Sequence, residues 1–593
     1  MAVPGDGKDA SGAPEVVVIG AGLAGLAAAV VLQRLGVPAV VLEAQARVGG
    51  RAHTVRCEAD ETAGLPAAAV ELGPNYLHTC GDPRHQPLFR LCSRLGVPSV
   101  TAPGDDGGRL WGWAAVELAD WSRPFGCCAG ESCARRVAEL VVLFEQAMAS
   151  CCAEARASAR PEELPLGPAF EAAVERLVVA QCAAGQREPL SPRERLALDA
   201  LHRRRNGYVR SVDDLPLSEA LRAPWPQAVE KGFHEEPSFG ASAERSEHLE
   251  HLEEMIEAGH RRAASRKPVP SCEATCAGED RILLGGGFGR VVAWLARQAR
   301  AVRTGAPVRR VAYTCGGEAG AGGWCCRVDV RSPEDEGAAE EVACRAVIVT
   351  TPPGVLAGLD AASAVTFDPP LSDARLAALR RIAPRAAGAA THEKVVLRWP
   401  QGEVFWPREA PLLASPDPHL CFENLSRYPG FEGQLLVHLW PDGPIAVAGR
   451  EQAAVVDALL EVLSTMFPEA AMKPGGLPRP RQMFVTGWGV NSFALGAYAA
   501  AGVGVQAGDW DAVAAPLPEG ATPTATGPAV FFAGEHCARA LRQTTAGAFV
   551  SGATAALQLA RTLRPGKLSA SDEERILGDL AAFLWPRDPR LDV

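Results

Sequence analysis

The stretch Val16-Val17-Val18-Ile19-Gly20-Ala21-Gly22-Leu23-Ala24-Gly25 decides the fold. Four apolar β-branched residues in a row read as a strand buried on both faces. Leu26 to Leu35 then reads as a helix stopped by Gly36, and Ala39 to Leu42 as a second apolar strand ending at Glu43. Parallel strands need a crossover, and the helix supplies it. Each glycine has its own duty. Gly20 permits the tight turn after the strand, Gly22 lets the backbone approach a pyrophosphate, and Gly25 lets helix and strand pack closely. The helix N-terminus faces the phosphates. Glu43 is placed to accept hydrogen bonds from a ribose diol, and an acid there disfavours a 2′-phosphate, so NADP is not expected. A bare structural turn is the plainer alternative. The strand before the glycines, the helix after them and the acid beyond favour a dinucleotide site.

Outward from this unit, the chain has 593 residues, of which 47% are hydrophobic and 22% charged. That composition excludes a disordered or coiled-coil protein, and the length calls for at least two domains. The net charge of −11 argues against a dedicated nucleic-acid binder. The 17 Cys are odd in number and form no regular framework, so mostly free thiols in a reducing compartment are expected. Residues 1–14 read as a disordered N-terminus without a signal peptide, and no membrane span is expected. Residues 82–180 read largely as helix, and Glu244 to Arg262 as a solvated surface helix. Residues 281–315 repeat the strand-and-helix grammar around Gly285-Gly286-Gly287, and 316–340 read as a hairpin tip. Ala346 to Thr350 and Val530 to Ala533 read as buried strands, 545–563 as a helix and 566–593 as a peripheral tail. His248, His251 and His260 with Cys272 and Cys276 are poorly spaced for zinc, so no metal is expected.

After Glu43 comes Arg47-Val48-Gly49-Gly50-Arg51. The two glycines let the chain pass close to a cofactor, and Arg51 brings a cation to a pyrophosphate. Together with Gly20 to Gly25 and Glu43, this run resembles the start of the flavin-containing amine oxidase family. Glu71-Leu72-Gly73, Lys394-Val395-Val396-Leu397, Phe532-Ala533-Gly534-Glu535-His536, Gly547-Ala548 and Ser551-Gly552 resemble it too. The resemblance covers residues 15–100, 281–400 and 480–563, and is loose in the middle helical region. It implies an α/β fold: a discontinuous, Rossmann-like FAD-binding domain interleaved with an α+β substrate-binding domain. The expected FAD parts are 15–100, 281–360 and 521–565, and the expected substrate parts are 101–280, largely helical, and 361–520, mixed sheet.

The same resemblance implies cofactor roles for Glu43 at the adenosine ribose, Arg51 near the pyrophosphate and Val308 at the adenine. It implies a role for Gly534-Glu535 at the ribityl and pyrophosphate moieties, although a charge at a helix N-terminus would be stabilising in its own right. Trp488 resembles the aromatic residue beside the flavin, with plain core packing as the alternative. Lys394 resembles the lysine that holds a water against flavin N5, the alternative being a surface lysine at a strand start. Departures concern the substrate side. Ala500 stands where several relatives carry a tyrosine, so half of an aromatic cage for a cation is missing. Thr544 resembles the threonine of the histone demethylase branch on the opposite wall. Ala497 stands where monoamine oxidases carry a flavin-linking cysteine, so FAD is expected to be non-covalent. Asn491-Ser492-Phe493 replaces an Asp-Pro-aromatic run.

The expected reaction is FAD-dependent oxidation of a primary or secondary amine, a polyamine being favoured. The α-carbon hydride goes to flavin N5, the imine hydrolyses, and O2 becomes H2O2. An L-amino-acid oxidase, a lysine-demethylase-like enzyme and a flavoprotein scaffold without turnover are the alternatives. The first would need an arginine for the substrate carboxylate, with Arg109, Arg427 and Arg542 as candidates. A monomer or homodimer is expected, in the cytoplasm, with peroxisome and nucleus left open.

Overall fold

The computed structural model describes residues 14–78, 86–101, 131–192, 194–195, 198–199, 202, 280–314, 326–331, 339–383, 391–408, 412–415, 420–441, 443–506, 508–520, 529–539 and 541–585. The readings of the N-terminus before residue 14, of Glu244 to Arg262, of residues 316–325 and 332–338 within the hairpin stretch 316–340, and of the His/Cys group at 248–276 lie outside these residues, as does Arg109.

A five-stranded parallel sheet carries the opening motif. Its order is Val530–Phe532, Ala346–Val349, β1 (Val16–Ile19), β2 (Ala39–Leu42) and Val302–Arg303. The fold is thus α/β, with a parallel sheet of Rossmann-like form assembled from segments far apart in the chain. β1 is buried along its whole length because both faces are covered. Val16 and Val18 join a helical layer, while Val17 and Ile19 join a layer built on a second sheet. The helical layer contains α1 (Leu23–Arg34), Gly287–Ala299 and Thr545–Leu563. Here α1 and the last of these meet backbone to backbone: a Cβ on Gly552 would lie 2.0 Å from the Ala24 carbonyl oxygen. The opposite layer is a four-stranded sheet of Ala339–Cys344, Cys326–Arg331, Val308–Tyr313 and Thr366–Asp368.

A separate five-stranded antiparallel sheet runs in the order Leu412–Ala414, Leu420–Asn424, Gln434–Leu439, Glu393–Arg398 and Gln482–Val485. Alternation along its strands divides the side chains between two faces. Val395, Leu397, Leu435 and Val437 pack with Val455, Val456 and Leu459 of the Gln452–Met466 helix. Val396 and Leu436 face the other way, onto Val70, Ile282 and Phe431. Lys394, two residues before Val396, therefore points toward the segment that follows Val70.

One reading gains its partners here, and another is corrected. The strand and helix around Gly285 to Gly287 form, but Arg281–Leu283 does not enter the parallel sheet. It pairs antiparallel with Tyr76–Leu77 and Ser99–Thr101. The C-terminal stretch is not peripheral up to residue 585. Its helices Ala570–Gly578 and Leu580–Leu584 bury Ile576, Leu580, Ala581 and Leu584 in the helical layer. Trp585 stacks on Trp294 at 5.6 Å, and Arg34 donates to the Leu584 carbonyl at 2.9 Å. The described residues of the region 82–180 are largely helical, with Pro87–Arg94 and with Glu131–Ala157 packed on Leu166–Ala183, but Ser99–Thr101 is a strand. No helix among the described residues is long and apolar enough to cross a membrane.

Candidate functional site

The glycines close the first turn as their spacing requires. Gly20 sits at φ +100°, and a Cβ on Gly25 would lie 1.9 Å from the Gly20 oxygen. Any side chain at Gly25 would push α1 off β1. Above Gly22 there is open room, since a Cβ there would meet nothing nearer than the Gly49 oxygen at 4.0 Å. No side chain caps the N-terminus of α1, so its first amides face that room. Gly49 and Gly50 fold over the turn, and the Gly49 amide donates to the Ala21 carbonyl at 2.8 Å. The buried Glu43 carboxylate accepts from the Ala21 amide at 2.7 Å and the Gln45 amide at 2.9 Å. Burial raises its pKa, and these amides oppose the rise. Val308 is buried at the start of its strand, close to Glu43: the Ala306 amide donates to the Glu43 carbonyl at 2.8 Å.

The far side of the cradle comes from the end of the chain. Gly534 follows the edge strand of the parallel sheet at φ +145°, and Glu535 comes next. One Glu535 oxygen accepts from Arg51 Nη1 at 2.9 Å and from the Ala499 amide at 3.0 Å. Its other oxygen, Oε2, is buried without a hydrogen-bond partner. Arg51 also donates to the Ala497 carbonyl at 3.1 Å. Both ring nitrogens of the buried His536 lack partners, and desolvation pulls its pKa down to about 4. Nearby Leu495, Leu541 and Gln543 hold positive φ without being glycine, a strain that clusters at functional loops.

Lys394 is 9% exposed. Its ammonium group donates to the Gly73 carbonyl at 2.5 Å and to Asn75 Oδ1. Desolvation lowers its pKa to about 8, against the opposing pull of Glu423 and Glu71. Glu71 is itself buried and accepts from Thr54 Oγ1 at 2.6 Å, with burial pushing it up to about 7. Between about pH 4.5 and 7 the folded state keeps a proton that the unfolded state releases, so Glu71 makes stability fall as pH rises through that window. Glu71→Gln should therefore raise the melting temperature more at pH 8 than at pH 5. Equal gains at the two pH values in thermal melts would contradict this.

Trp488 is buried. Its ring Nε1 donates to the Leu72 carbonyl at 3.3 Å, and its amide donates to Glu393 at 2.9 Å. Glu393 also accepts from Thr486 Oγ1 and the Gly489 amide, so it fixes this loop. Thr544 is the N-cap of Thr545–Leu563: its hydroxyl donates to the Leu541 carbonyl at 2.7 Å and accepts from the Gly547 amide at 3.0 Å. Thr544→Ala should cost ~1 kcal/mol through the lost cap, and Thr544→Ser almost nothing. Chemical denaturation checks this; equal losses in both variants would contradict it. Ala500 is buried and donates to the Ile382 carbonyl at 3.0 Å. Arg542 lies over Trp510 at 4.9 Å and donates to the Ala538 carbonyl, while Arg427 lies over Tyr428 at 5.9 Å. Sequence reading missed Asn75 and Glu423, and held Glu71 only as part of a motif. Asn75 lies two positions past the quoted Glu71-Leu72-Gly73, and that proximity was the available signal.

The family model described as "Flavin containing amine oxidoreductase" matches residues 23–560. The chain belongs to this family. As a flavin-containing amine oxidoreductase, it is 41% identical over 93 residues to "Polyamine oxidase 3" of Oryza sativa subsp. japonica, a match covering 16% of this chain and 17% of that protein. It is 25% identical over 563 residues to "Lysine-specific histone demethylase 1 homolog 3" of Oryza sativa subsp. indica, covering 91% of this chain and 53% of that protein. The matched lengths are thus under a fifth and about half of those relatives. A solved putrescine oxidase bound to putrescine superposes with a TM-score of 0.51 at 17% identity, covering 92% of this chain and 98% of that one. That likeness speaks to fold.

The cofactor the family name implies fits these residues. The open space over Gly22, the uncapped amides of α1 and the orphaned Glu535 Oε2 are groups that a flavin dinucleotide would satisfy. Among the described residues no group of three His, Cys, Asp or Glu side chains could hold a metal ion.

Proposed function

We propose that this chain is an FAD-dependent amine oxidase with FAD held non-covalently, acting on a primary or secondary amine, with polyamines favoured and O2 reduced to H2O2. Gly20, Gly22 and Gly25 would receive the pyrophosphate with Arg51, Glu43 the adenosine ribose, and Val308 the adenine. Gly49 and Gly50 would close over the cofactor, and Gly534 and Glu535 would border its ribityl chain. Bound FAD would supply the two-electron acceptor for the amine α-carbon and the site of O2 reduction.

The observation that carries this reading is Lys394. It is a buried amine tied to Gly73 and Asn75 on the sheet face that meets the cradle, with a pKa brought near neutrality. A lysine so placed can donate to a water or exchange a proton with it, which a strand-start surface lysine has no reason to do. Trp488 supplies an apolar wall whose loop is fixed by Glu393. The antiparallel sheet behind Lys394 belongs, in this reading, to an α+β substrate-binding domain interleaved with the FAD-binding one. The substrate amine and O2 are the partners; the protein is proposed to act as a monomer or homodimer in the cytoplasm.

The test is a peroxide assay on purified, FAD-loaded protein with spermidine, spermine, simple monoamines, L-amino acids and methylated lysine peptides. Peroxide with polyamines supports the substrate class. Turnover of amino acids alone would overturn it.

A further inference from the structure

Behind Lys394 runs a line of titratable side chains that the proposed reaction has not yet used. Lys394 stands directly opposite His438, and His438 opposite Cys421. Directly opposed residues share a sheet face, as do residues two apart along one strand. Lys394, His438 and Glu423 therefore lie on one face, and His392 precedes Lys394 by two. The Tyr498 hydroxyl is 2.9 Å from His392 Nδ1, His392 Nε2 is 2.8 Å from His438 Nδ1, and His438 Nε2 is 3.4 Å from Glu423 Oε2. Glu423 is fully buried, His392 buried, and Tyr498 and His438 partly exposed, so the line ends in the interior at Glu423. Tyr498 lies between Ala497, whose carbonyl meets Arg51, and Ala499, whose amide meets Glu535.

Hydrogen placement along this line is constrained end to end. A carboxylate at Glu423 only accepts, so His438 carries its proton on Nε2 and accepts at Nδ1. His392 then carries its proton on Nε2 and accepts at Nδ1, and Tyr498 donates inward. With Glu423 protonated, every bond can reverse, and Tyr498 accepts from His392 and can donate outward. The two states differ by one proton at Glu423 and exchange the role of the Tyr498 oxygen. Burial, then His438 and Lys394, hold His392 far below its usual pKa, so it stays neutral and passes protons without keeping a charge. Lys394, Tyr76, Tyr428 and Cys421 also stand around this face, and Tyr76 is hydrogen-bonded to Glu423.

We infer that Tyr498, His392, His438 and Glu423 form a proton relay that neutralises the incoming ammonium substrate, an inference that rests on the amine-oxidising reading. The ammonium gives one proton to the Tyr498 oxygen as the phenol proton passes to His392 Nδ1. The Nε2 proton of His392 passes to His438 Nδ1, and the Nε2 proton of His438 passes to Glu423 Oε2. The amine is left neutral with its nitrogen lone pair available, Glu423 holds one added proton, and each group between them ends with its original count. Running backwards, the line returns that proton to the site.

Infrared difference spectroscopy of the FAD-loaded protein, on adding a tert-alkyl ammonium salt, tests the relay. That amine has no α-hydrogen and is not oxidised. A new protonated-carboxyl band should appear in the wild type and be absent from Glu423→Gln and Tyr498→Phe. Tyr498→Phe removes one oxygen at a partly exposed position and guards against a folding failure of the buried variant. No band at any amine concentration, or a band that survives Tyr498→Phe, overturns the relay. Bleaching of the flavin by spermidine is scored separately. Bleaching without the band would keep the oxidase and remove the relay; the band without bleaching would do the reverse.

Discussion

Lys394→Met should lower amine-dependent peroxide formation by about 10²- to 10³-fold, the range expected for loss of a positioned proton-exchanging group. Methionine is similar in length and apolar, so the buried site stays filled while the donor to Gly73 and Asn75 is lost. The wild type should also gain activity as pH rises through about 8, where the Lys394 ammonium gives up its proton. The sign follows from the charge: burial disfavours the ammonium, so the neutral amine dominates above its lowered pKa. That limb of the profile should vanish in the variant. Stopped-flow measurement of flavin reduction and reoxidation separates the two half-reactions, and unchanged rates in both would remove Lys394 from the chemistry.

Arg51→Ala should weaken retention of FAD by about 10²-fold or more. Removing Arg51 leaves the Glu535 carboxylate largely buried beside the Ala499 amide with no charged partner, and stranding one member of a buried pair costs about 3–5 kcal/mol. The Ala497 carbonyl loses its donor at the same time, so the loop from 496 to 500 is loosened. Arg51→Lys should recover part of the loss: both contacts run from the single nitrogen Nη1, and an ammonium keeps the charge and the donors but not the planar guanidinium that sets their position. Flavin-to-protein ratios after dialysis measure the effect. Full retention in Arg51→Ala would show that the cradle does not depend on this pair.

These two sites differ in how readily the sequence disclosed them. The β1-α1-β2 unit was legible because its signals are local: a β-branched run, three glycines and an acid at the next strand end. Glu535 was legible through its motif, and the chain reversal that brings it to Arg51 follows from strand order in the parallel sheet. What surrounds Lys394 was not legible. Asn75, His438 and Glu423 reach it through antiparallel register and through packing of one sheet face on a distant segment, and so does Glu71, which its motif announced without a partner. A one-residue slip in any of those strands would put the same side chains on the opposite face, and composition does not fix the register. The Arg281–Leu283 strand shows the same limit. Its pattern announces a strand, but its partners are residues 76–77 and 99–101 rather than the parallel sheet. The helix Ala570–Gly578 was hidden by its charge, with Ile576 its one fully buried side chain, and Leu580–Leu584 by its shortness.

The most direct measurement is the visible spectrum of the purified protein before and after spermidine is added without oxygen. The account predicts a yellow protein whose flavin is released by denaturation, bleached by the amine and restored by air with formation of peroxide. A protein that takes up no FAD on reconstitution, or a flavin that no amine bleaches, would contradict it.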